Sequence, residues 1–459
     1  MLTRSWSRLT LAGKVVLPLV AVLGGLTALL MLGVVLGIVQ PITAFLVETL
    51  SLNGGLVRFV VAALAVLLFA IPTAFIIGFL ELKVIAFMNL RLGPNRVGPW
   101  GALSAAFHGF KILAKEDFTP TGADVPVFTL APVIVFLAPV LGFLVLPFAP
   151  GLFGQDMNLA VLYFFAMSGL GVVGLIMAGW SSFNKYSLLG ALRAAAQIIS
   201  YEIPLTLSVV GVIMLAGTLS LNGIVLQQAG SFLDWFAFRQ PLGFVIFFIA
   251  ATAEGNRTPF DLSEADSEIV AGYATEYSGM RFGFFYFAEY VNVFLLSALT
   301  VVLFLGGWLA PFDLGGVLHQ IGVAFDPRLD PGSLGIGLLI GLLVVPLLII
   351  IGLAVPFWLA KPGLAFWKAL IIGFLLFNVL AAGAVLLWAV ASFEVVQGLL
   401  WFMAKTYAFV VILVWMRATL PRVRIDQLMG FAWKWLIPAA LLNLFVTALA
   451  VVVVDAVTR

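Results

Sequence analysis

The sequence predicts an all-α protein that crosses a membrane many times. Of its 459 residues, 63% are hydrophobic and only 10% are charged, and the mean hydropathy is +1.19. Apolar runs of more than about eighteen residues recur along the whole chain, and a helix needs about 20 such residues to cross a bilayer. We therefore expect a polytopic helical membrane protein, with residues 1–459 forming a single integral membrane domain.

Eleven segments are long and apolar enough to be predicted as spans. They lie at 15–38, 56–81, 126–148, 159–180, 196–218, 242–255, 282–306, 333–360, 366–392, 398–416 and 435–455. The first lacks a small-residue cleavage site and is longer than the core of a signal peptide, so we expect it to be retained as a span.

The distribution of basic residues predicts the orientation. With the N-terminus placed in the cytoplasm, eighteen of the 23 Lys and Arg lie on the cytoplasmic side. Only Arg58, Arg239, Arg328 and Arg459 face outward, and Lys405 lies within a span. This asymmetry follows the positive-inside rule, and the odd number of spans places the C-terminus outside.

Short cytoplasmic helices in the plane of the membrane interface are also expected. Trp100 to Leu113 alternates apolar residues with Ser104, His108 and Lys111 at helical spacing. The run RLGPNRVGPWG before it contains three Gly and two Pro, which favours turns. Function is expected at this face, because the cytoplasmic segments 82–125, 181–195 and 256–281 contain more polar residues than connectors need.

Composition also limits the chemistry. The net charge of +2 gives no reason to expect nucleic acid, and the absence of cysteine excludes disulfides, thiolate-bound iron–sulfur clusters and covalently attached haem. The two histidines, His108 and His319, are predicted on opposite sides of the membrane, which disfavours a bis-histidine haem or copper site. We expect no metal and no redox centre in this chain.

An acidic cytoplasmic stretch is the first candidate site. PFDLSEADSEIV, residues 259–270, contains four carboxylates, at Asp261, Glu264, Asp266 and Glu268. Carboxylates in a first helical turn complement the helix dipole by about 0.3–1 kcal/mol each, which explains two of them. The i, i+3, i+7 spacing of Asp261, Glu264 and Glu268 would instead align three like charges on one face at a mutual cost.

Carboxylates within predicted spans are the second candidate. Glu202 and Glu289 lie well inside their spans, Glu254 lies near a helix end, and Glu276 continues the acidic run. An intramembrane carboxylate costs on the order of 2.5–3.5 kcal/mol and usually marks an ion or proton path. The residues predict such a path, with Lys405 as a cation at its end. The alternative for Lys405 is that its ammonium snorkels to the interface.

GLGVVG, residues 169–174, matches the dinucleotide pattern G-x-G-x-x-G. The pattern requires a preceding strand and a helix N-terminus that receives phosphate. These glycines lie in the middle of a span, where small residues let helices approach closely, so we do not expect a nucleotide site.

Several runs together resemble one family. They are RLGPNRVGPWG at 91–101, KILAKED at 111–117, GWSSFNKYSLLGALRAAAQIISYE at 179–202, AEGNRTPFDLSEADSEIVAGYATEYSGMRF at 253–282, AEYVN at 288–292 and RATLPRVRIDQLMGFAWK at 417–434. The chain resembles the quinone-module membrane subunits of respiratory complex I, the family of the H subunit of bacterial NADH:quinone oxidoreductase. The resemblance implies an eight-helix core at 56–306 and 398–455, with extra helices at 1–55 and 333–392 outside it.

The resemblance implies a function. A quinone, as substrate, would enter a tunnel between this protein and peripheral-arm subunits, whose terminal iron–sulfur cluster reduces it; iron–sulfur clusters and FMN are expected in partners only. Antiporter-like and small membrane subunits, and membrane lipid, would be the other partners. The proton path would contain Glu202, Glu254, Glu264, Asp266, Glu268, Glu276 and Glu289. The quinone cavity and its access route would contain Glu81, Arg91, Arg96, Arg257, Asp261 and Arg417.

The chain departs from the family pattern in places. The usual Glu-Arg-Lys at the end of the first core span reads Glu81, Leu82, Lys83, and His108 stands where the interfacial helix usually has an acid. Two other functions stay open on the residues alone. One is the membrane anchor of a related membrane-bound hydrogenase, and the other is a stand-alone secondary transporter with broken helices.

Overall fold

The computed structural model describes residues 54–97, 101, 103–261, 271–311 and 394–458. Three of the eleven predicted spans, at 15–38, 333–360 and 366–392, lie outside these residues, as do Trp100 and His319. The predicted site residues Glu264, Asp266 and Glu268 lie outside them as well.

The described residues form helices and no strand. The α-helices are α1 (Gly54–Met88), α2 (Ser104–Leu113), α3 (Val125–Gly142), α4 (Ala160–Ser181), α5 (Lys185–Ala216), α6 (Leu221–Leu226), α7 (Phe236–Arg239), α8 (Pro241–Glu254), α9 (Gly279–Phe304), α10 (Glu394–Thr419), α11 (Ile425–Phe431) and α12 (Ile437–Thr458). A π-helical turn, Ala432–Leu436, joins α11 to α12.

Seven helices of the described part are long and apolar enough to cross a membrane, namely those at Phe59–Met88, Val125–Val145, Ala160–Ser181, Lys185–Ala216, Gly279–Phe304, Gln397–Thr419 and Ile425–Val453. The all-α, multi-pass prediction is therefore confirmed. One further span predicted in the described residues, 242–255, is the 14-residue helix α8. At 1.5 Å per residue α8 is about 21 Å long, which is less than the roughly 30 Å of a bilayer core.

The helix that contains the predicted span 196–218 begins earlier than the apolar stretch indicates. Helix α5 begins at Lys185, where the Asn184 side chain accepts a hydrogen bond from the backbone N–H of Tyr186 at 2.9 Å. Nothing between Lys185 and Ala195 interrupts the helix, which continues for 32 residues. Hydropathy located the apolar part of this helix and not its capped end.

The long helices alternate in direction, so their ends form two groups. At one end the N–H of Asp124, before α3, donates to the carbonyl of Ser181 at the end of α4 (3.1 Å). At the other end the N–H of Val161 in α4 donates to the carbonyl of Leu219, after α5 (3.1 Å). Ion pairs and side-chain hydrogen bonds assign further ends to the first group, namely the C-terminal ends of α1, α8 and α10 and the N-terminal ends of α5 and α9.

Helix α9 is the central helix of the described bundle, because most of its side chains are buried. The rings of Phe69 on α1, Phe143 after α3 and Phe294 on α9 meet with centroids 5.7–6.0 Å apart. Each of these rings is at most 6% exposed. Aromatic burial on this scale supplies much of the packing energy.

A close backbone approach brings the loop before α9 onto α5. A Cβ atom on Gly190 would lie 2.6 Å from the Cα of Gly272, so only glycine fits at this position. The Ser187 hydroxyl donates to the carbonyl of Tyr273 at 3.0 Å and fixes the same loop. The segment that follows the acidic stretch is thereby held against the helix that contains Glu202.

The chain divides into two compact units, 1–309 with 400–459, and 310–399. Of the second unit the structure describes residues 310–311 and 394–399, the latter being the first residues of α10. The candidate site lies within the first unit.

Candidate functional site

A buried network of ion pairs joins four segments of the bundle. Arg257, in the loop after α8, contacts Glu81 of α1 with its Nη1 (3.2 Å to Oε2) and Glu289 of α9 with its Nη2 (3.3 Å to Oε1). Arg417, in the last turn of α10, forms a second ion pair with Glu81. Arg257 is 3% exposed and Glu81 6%. We call Glu81, Arg257, Glu289 and Arg417 the ion cluster.

The turn that ends α8 positions Arg257. Asn256 adopts a left-handed backbone conformation with φ +48°, and the N–H of Arg257 donates to the carbonyl of Thr252 at 3.2 Å. The buried amide of Gln197 on α5 donates to the carbonyls of Ala253 (2.8 Å) and Phe260 (2.7 Å). The loop that contains Arg257 is therefore anchored on both sides.

Asp261 is attached to the segment after α10. Its Oδ2 forms an ion pair with Nη2 of Arg422 at 3.0 Å, and Asp261 is 3% exposed. The N–H of Val423 donates to the carbonyl of Pro259 at 3.0 Å. These contacts hold the start of the acidic stretch against the C-terminal end of α10.

A cavity of about 80 Å³ lies beside the ion cluster. Its polar lining includes Ser168 of α4, Glu254 at the end of α8, and Glu289 and Asn292 of α9. Glu254 is 5% exposed, and its Oε2 has no hydrogen-bond partner among the described residues. A cavity of this size with several polar partners can hold a few water molecules.

Glu202 joins this cavity through Ser168. The Ser168 hydroxyl donates to Oε1 of Glu202 at 3.2 Å, and the carboxylates of Glu202 and Glu254 are close enough to interact electrostatically. The structure therefore places Glu254 and Glu289 in the lining of one polar cavity, and Glu202 is linked to that lining through Ser168.

Other predicted site residues lie elsewhere. Glu276 accepts a hydrogen bond from the Asn184 amide at the edge of a separate surface cavity. Arg91 and Arg96 are exposed on the loop after α1. The Lys405 ammonium donates to the carbonyls of residues 305 (2.7 Å) and 309 (2.9 Å). It lies at the C-terminal end of α9, about 24 Å along that helix from Glu289 at 1.5 Å per residue, and not among the carboxylates.

Sequence reasoning missed several residues of the site. Ser168 lies in an apolar part of α4, a pattern with many structural explanations, and Asn292 belongs to the AEYVN run but received no role of its own. Tyr290, whose ring lies 4.7 Å from the Arg257 guanidinium, also gave no separate signal. Arg422 counts in the sequence only as a determinant of orientation, although its place in RATLPRVRIDQL could have drawn attention to it.

The comparisons with known proteins show which family the sequence matches. The sequence model of the NADH dehydrogenase family matches residues 60–448. The chain belongs to the NADH dehydrogenase family. All of the ion cluster and the polar cavity fall within the residues that match this family.

Three relatives of high similarity are named as the H subunit of NADH-quinone oxidoreductase. The chain is 43% identical over 408 residues to the first H subunit of Koribacter versatilis, covering 86% of this chain and 89% of the relative. It is 40% identical over 385 residues to the H subunit of Dehalococcoides mccartyi strain CBDB1, covering 84% of each. The H subunit of Anoxybacillus flavithermus is 42% identical over 370 residues, covering 80% of this chain and 86% of the relative.

Proposed function

We propose that this chain is the membrane subunit of a proton-translocating NADH:quinone oxidoreductase that couples quinone reduction to ion movement through buried carboxylates. The relatives of this chain are named as the H subunit of that enzyme. The single observation that supports the coupling role best is the contact between the ion cluster and the polar cavity, because Glu289 belongs to both.

The proposed path runs from the ion cluster into the membrane interior. Protons move between Glu289, Glu254 and Glu202 through water in the cavity and through the Ser168 hydroxyl. Crowded, buried carboxylates share protons readily because each charge opposes ionisation of the next. Lys405 is left out of this path, since its ammonium binds carbonyls at the far end of α9. The remaining acids of the cytoplasmic stretch are proposed at its mouth, namely Glu264, Asp266, Glu268 and Glu276.

The quinone site requires a second protein surface. Ligand pockets usually have volumes of about 300–1,000 Å³, and the cavity beside the ion cluster has about 80 Å³, enough for water and too little for a quinone ring. We propose that Glu81, Arg257, Asp261 and Arg417 line one wall of the quinone tunnel and that a peripheral-arm subunit supplies the other. Arg91 and Arg96 are proposed at the access route.

Reduction of the quinone consumes two electrons from the partner's terminal iron–sulfur cluster and two protons. The charge of the head group changes during this step, and a buried ion cluster responds strongly to a nearby charge because the local dielectric constant is low. We propose that this response redistributes protons among Glu289, Glu254 and Glu202. Antiporter-like and small membrane subunits would then move ions across the membrane.

The proposal also includes the orientation of the chain in the membrane and the extent of its family core. The described end of the bundle with Arg417, Arg422 and Arg424 faces the cytoplasm, as expected from the positive-inside rule. We accordingly propose that the N-terminus lies in the cytoplasm and the C-terminus outside. The core of the protein comprises 56–306 and 398–455, and 1–55 and 333–392 are additions to it.

The test uses the intact complex in membrane vesicles. Glu202→Gln and Glu254→Gln remove the proton-accepting oxygen and preserve the shape of the side chain. We expect both variants to lower proton translocation per quinone reduced, while Glu116→Gln, at an exposed acid of the loop before α3, leaves this ratio unchanged. Full coupling in both buried variants would reject the proposed path, and a wild-type complex that reduces no quinone would reject the proposed function.

A further inference from the structure

His108 has no role in the path described so far. It is exposed on α2, and its imidazole ring faces the ring of Tyr286 on α9, with centroids 6.3 Å apart. The neighbouring Gly109 lets α2 approach the bundle closely, because a Cβ there would lie 2.7 Å from the ring of Phe75. A group that can exchange protons with water is thus placed against the central helix.

Two tyrosines continue inward from His108. Tyr286 and Tyr290 lie one turn apart on α9, and their hydroxyl oxygens are 3.1 Å apart, a hydrogen bond in which either can donate. Tyr290 is 6% exposed, and the Arg257 guanidinium lies 4.7 Å from its ring centroid. Burial increases along this series from the exposed imidazole to the ion cluster.

The charged groups that act on Tyr286 are those of the ion cluster. Glu81 of α1, Glu289 of α9 and Arg257 of the loop after α8 all interact with it electrostatically. Glu81 and Arg257 also act electrostatically on Tyr290, and the Arg257 guanidinium lies over its ring. The hydroxyl pair therefore lies between the surface of α2 and carboxylates that can accept a proton.

The chemistry of these three side chains suits proton transfer. A hydroxyl group donates one hydrogen bond and accepts others, and a neutral imidazole donates from one nitrogen and accepts at the other. Each can therefore receive a proton on one side and release another on the opposite side. Packing between two aromatic helices explains the ring contact, but it does not require the two hydroxyls to be hydrogen-bonded to each other.

We propose that His108, Tyr286 and Tyr290 form a proton relay from the cytoplasmic-side surface to the ion cluster, separate from the path through Ser168 and Glu202. The imidazole takes a proton from water and passes one to the Tyr286 oxygen. The Tyr286 hydroxyl proton moves to Tyr290, whose own proton passes to a carboxylate of the ion cluster. Only O–H and N–H bonds break and form, and no electron is transferred. The relay rests on the proposed function, because it supplies protons to that coupling site.

The test compares conservative variants in the intact complex. Tyr286→Phe and Tyr290→Phe remove only the hydroxyl, and Tyr163→Phe on α4, away from the relay, is the matched control. We expect proton translocation in mildly alkaline buffer to fall by about 100-fold in the first two, the low end of what a general acid–base group contributes, because protons are scarce there. The loss should be smaller in mildly acidic buffer, and Tyr163→Phe should behave as wild type.

Variants of His108 provide a second test of the relay. His108→Asn should slow translocation with the same pH dependence, and His108→Asp should restore it, because a carboxylate exchanges protons and an amide does not. Tyrosine variants as fast as the control in both buffers would overturn the relay, as would equal defects in His108→Asn and His108→Asp. Normal coupling in the relay variants together with loss of coupling in Glu254→Gln would contradict the relay and still support the proposed function.

Discussion

Replacing Arg257 by methionine should destabilise the protein, because it leaves the buried carboxylate of Glu289 without its ion-pair partner. The change removes the cation that faces both Glu81 and Glu289. Glu81 keeps the ion pair with Arg417, whereas Glu289 loses the only ion pair that the described residues give it. Leaving a single charge buried without its partner costs about 3–5 kcal/mol. We expect a loss of this size in the free energy of unfolding of Arg257→Met.

Thermal unfolding of the purified complex in detergent measures the effect. Arg239→Met is the control, because its ion pair with Asp234 is exposed (side chains 48% and 39%) and should contribute less than about 1 kcal/mol. The double variant Arg257→Met, Glu289→Gln removes the unpaired charge and should recover most of the lost stability. A single variant as stable as Arg239→Met, or a double variant less stable than the single one, would refute this reasoning.

Three further predictions concern other parts of the bundle. Gly190→Ala should lower the free energy of unfolding by about 1–3 kcal/mol, because the added Cβ would overlap backbone atoms. Gly169→Ala should leave it almost unchanged in the same thermal assay, because there is open space around Gly169. Lys405→Met should lower the unfolding temperature, because two charge-assisted hydrogen bonds are lost at a cost on the order of 2 kcal/mol. The number of protons translocated per quinone reduced should stay unchanged. A lower number would show that Lys405 belongs to the proton path. Burial raises the pKa of Tyr277, so the folded state binds this proton more tightly than the unfolded state. Stability from Tyr277 is then fully present below the ordinary phenol pKa of about 10 and is lost as the pH rises through the raised value. An alkaline stability profile that Tyr277→Phe leaves unchanged would contradict this assignment.

The fold was largely predictable because hydrophobic length is a strong signal in a membrane protein. Each of the eight predicted spans that fall in the described residues coincides with a helix. The start of α5 was missed because Asn184 caps the helix beyond its apolar part. Length and apolarity identify the segment that matches the hydrocarbon, while capping determines where the helix begins.

The site was predictable where charge stands out against an apolar background. Glu202, Glu254 and Glu289 stood out because carboxylates are rare in spans, and Arg257 was named through the resemblance to the family. That Arg257 pairs with Glu81 and Glu289 was not predictable, since Glu81 lies 176 residues away along the chain. Only the packing of α1, α9 and α10 around the α8 turn brings these groups together.

Lys405 is a charged residue whose environment the sequence did not predict. A cation in a span suggests a charge path, but carbonyl groups at a helix C-terminus attract a cation equally well. Its ammonium also lies 4.6 Å from the ring centroid of Trp235. A sequence cannot distinguish these environments, because neither the carbonyls nor the ring is close to Lys405 along the chain.

The central claim is that buried carboxylates beside the polar cavity exchange protons when quinone is reduced next to them. Infrared difference spectra of the intact complex, recorded on quinone reduction in water and in deuterium oxide, test it most directly. We expect a C=O band of a protonated carboxyl group that shifts in deuterium oxide, disappears in Glu254→Gln and persists in Glu116→Gln. Wild-type spectra without such a band, or a band that Glu254→Gln leaves intact, would contradict the account.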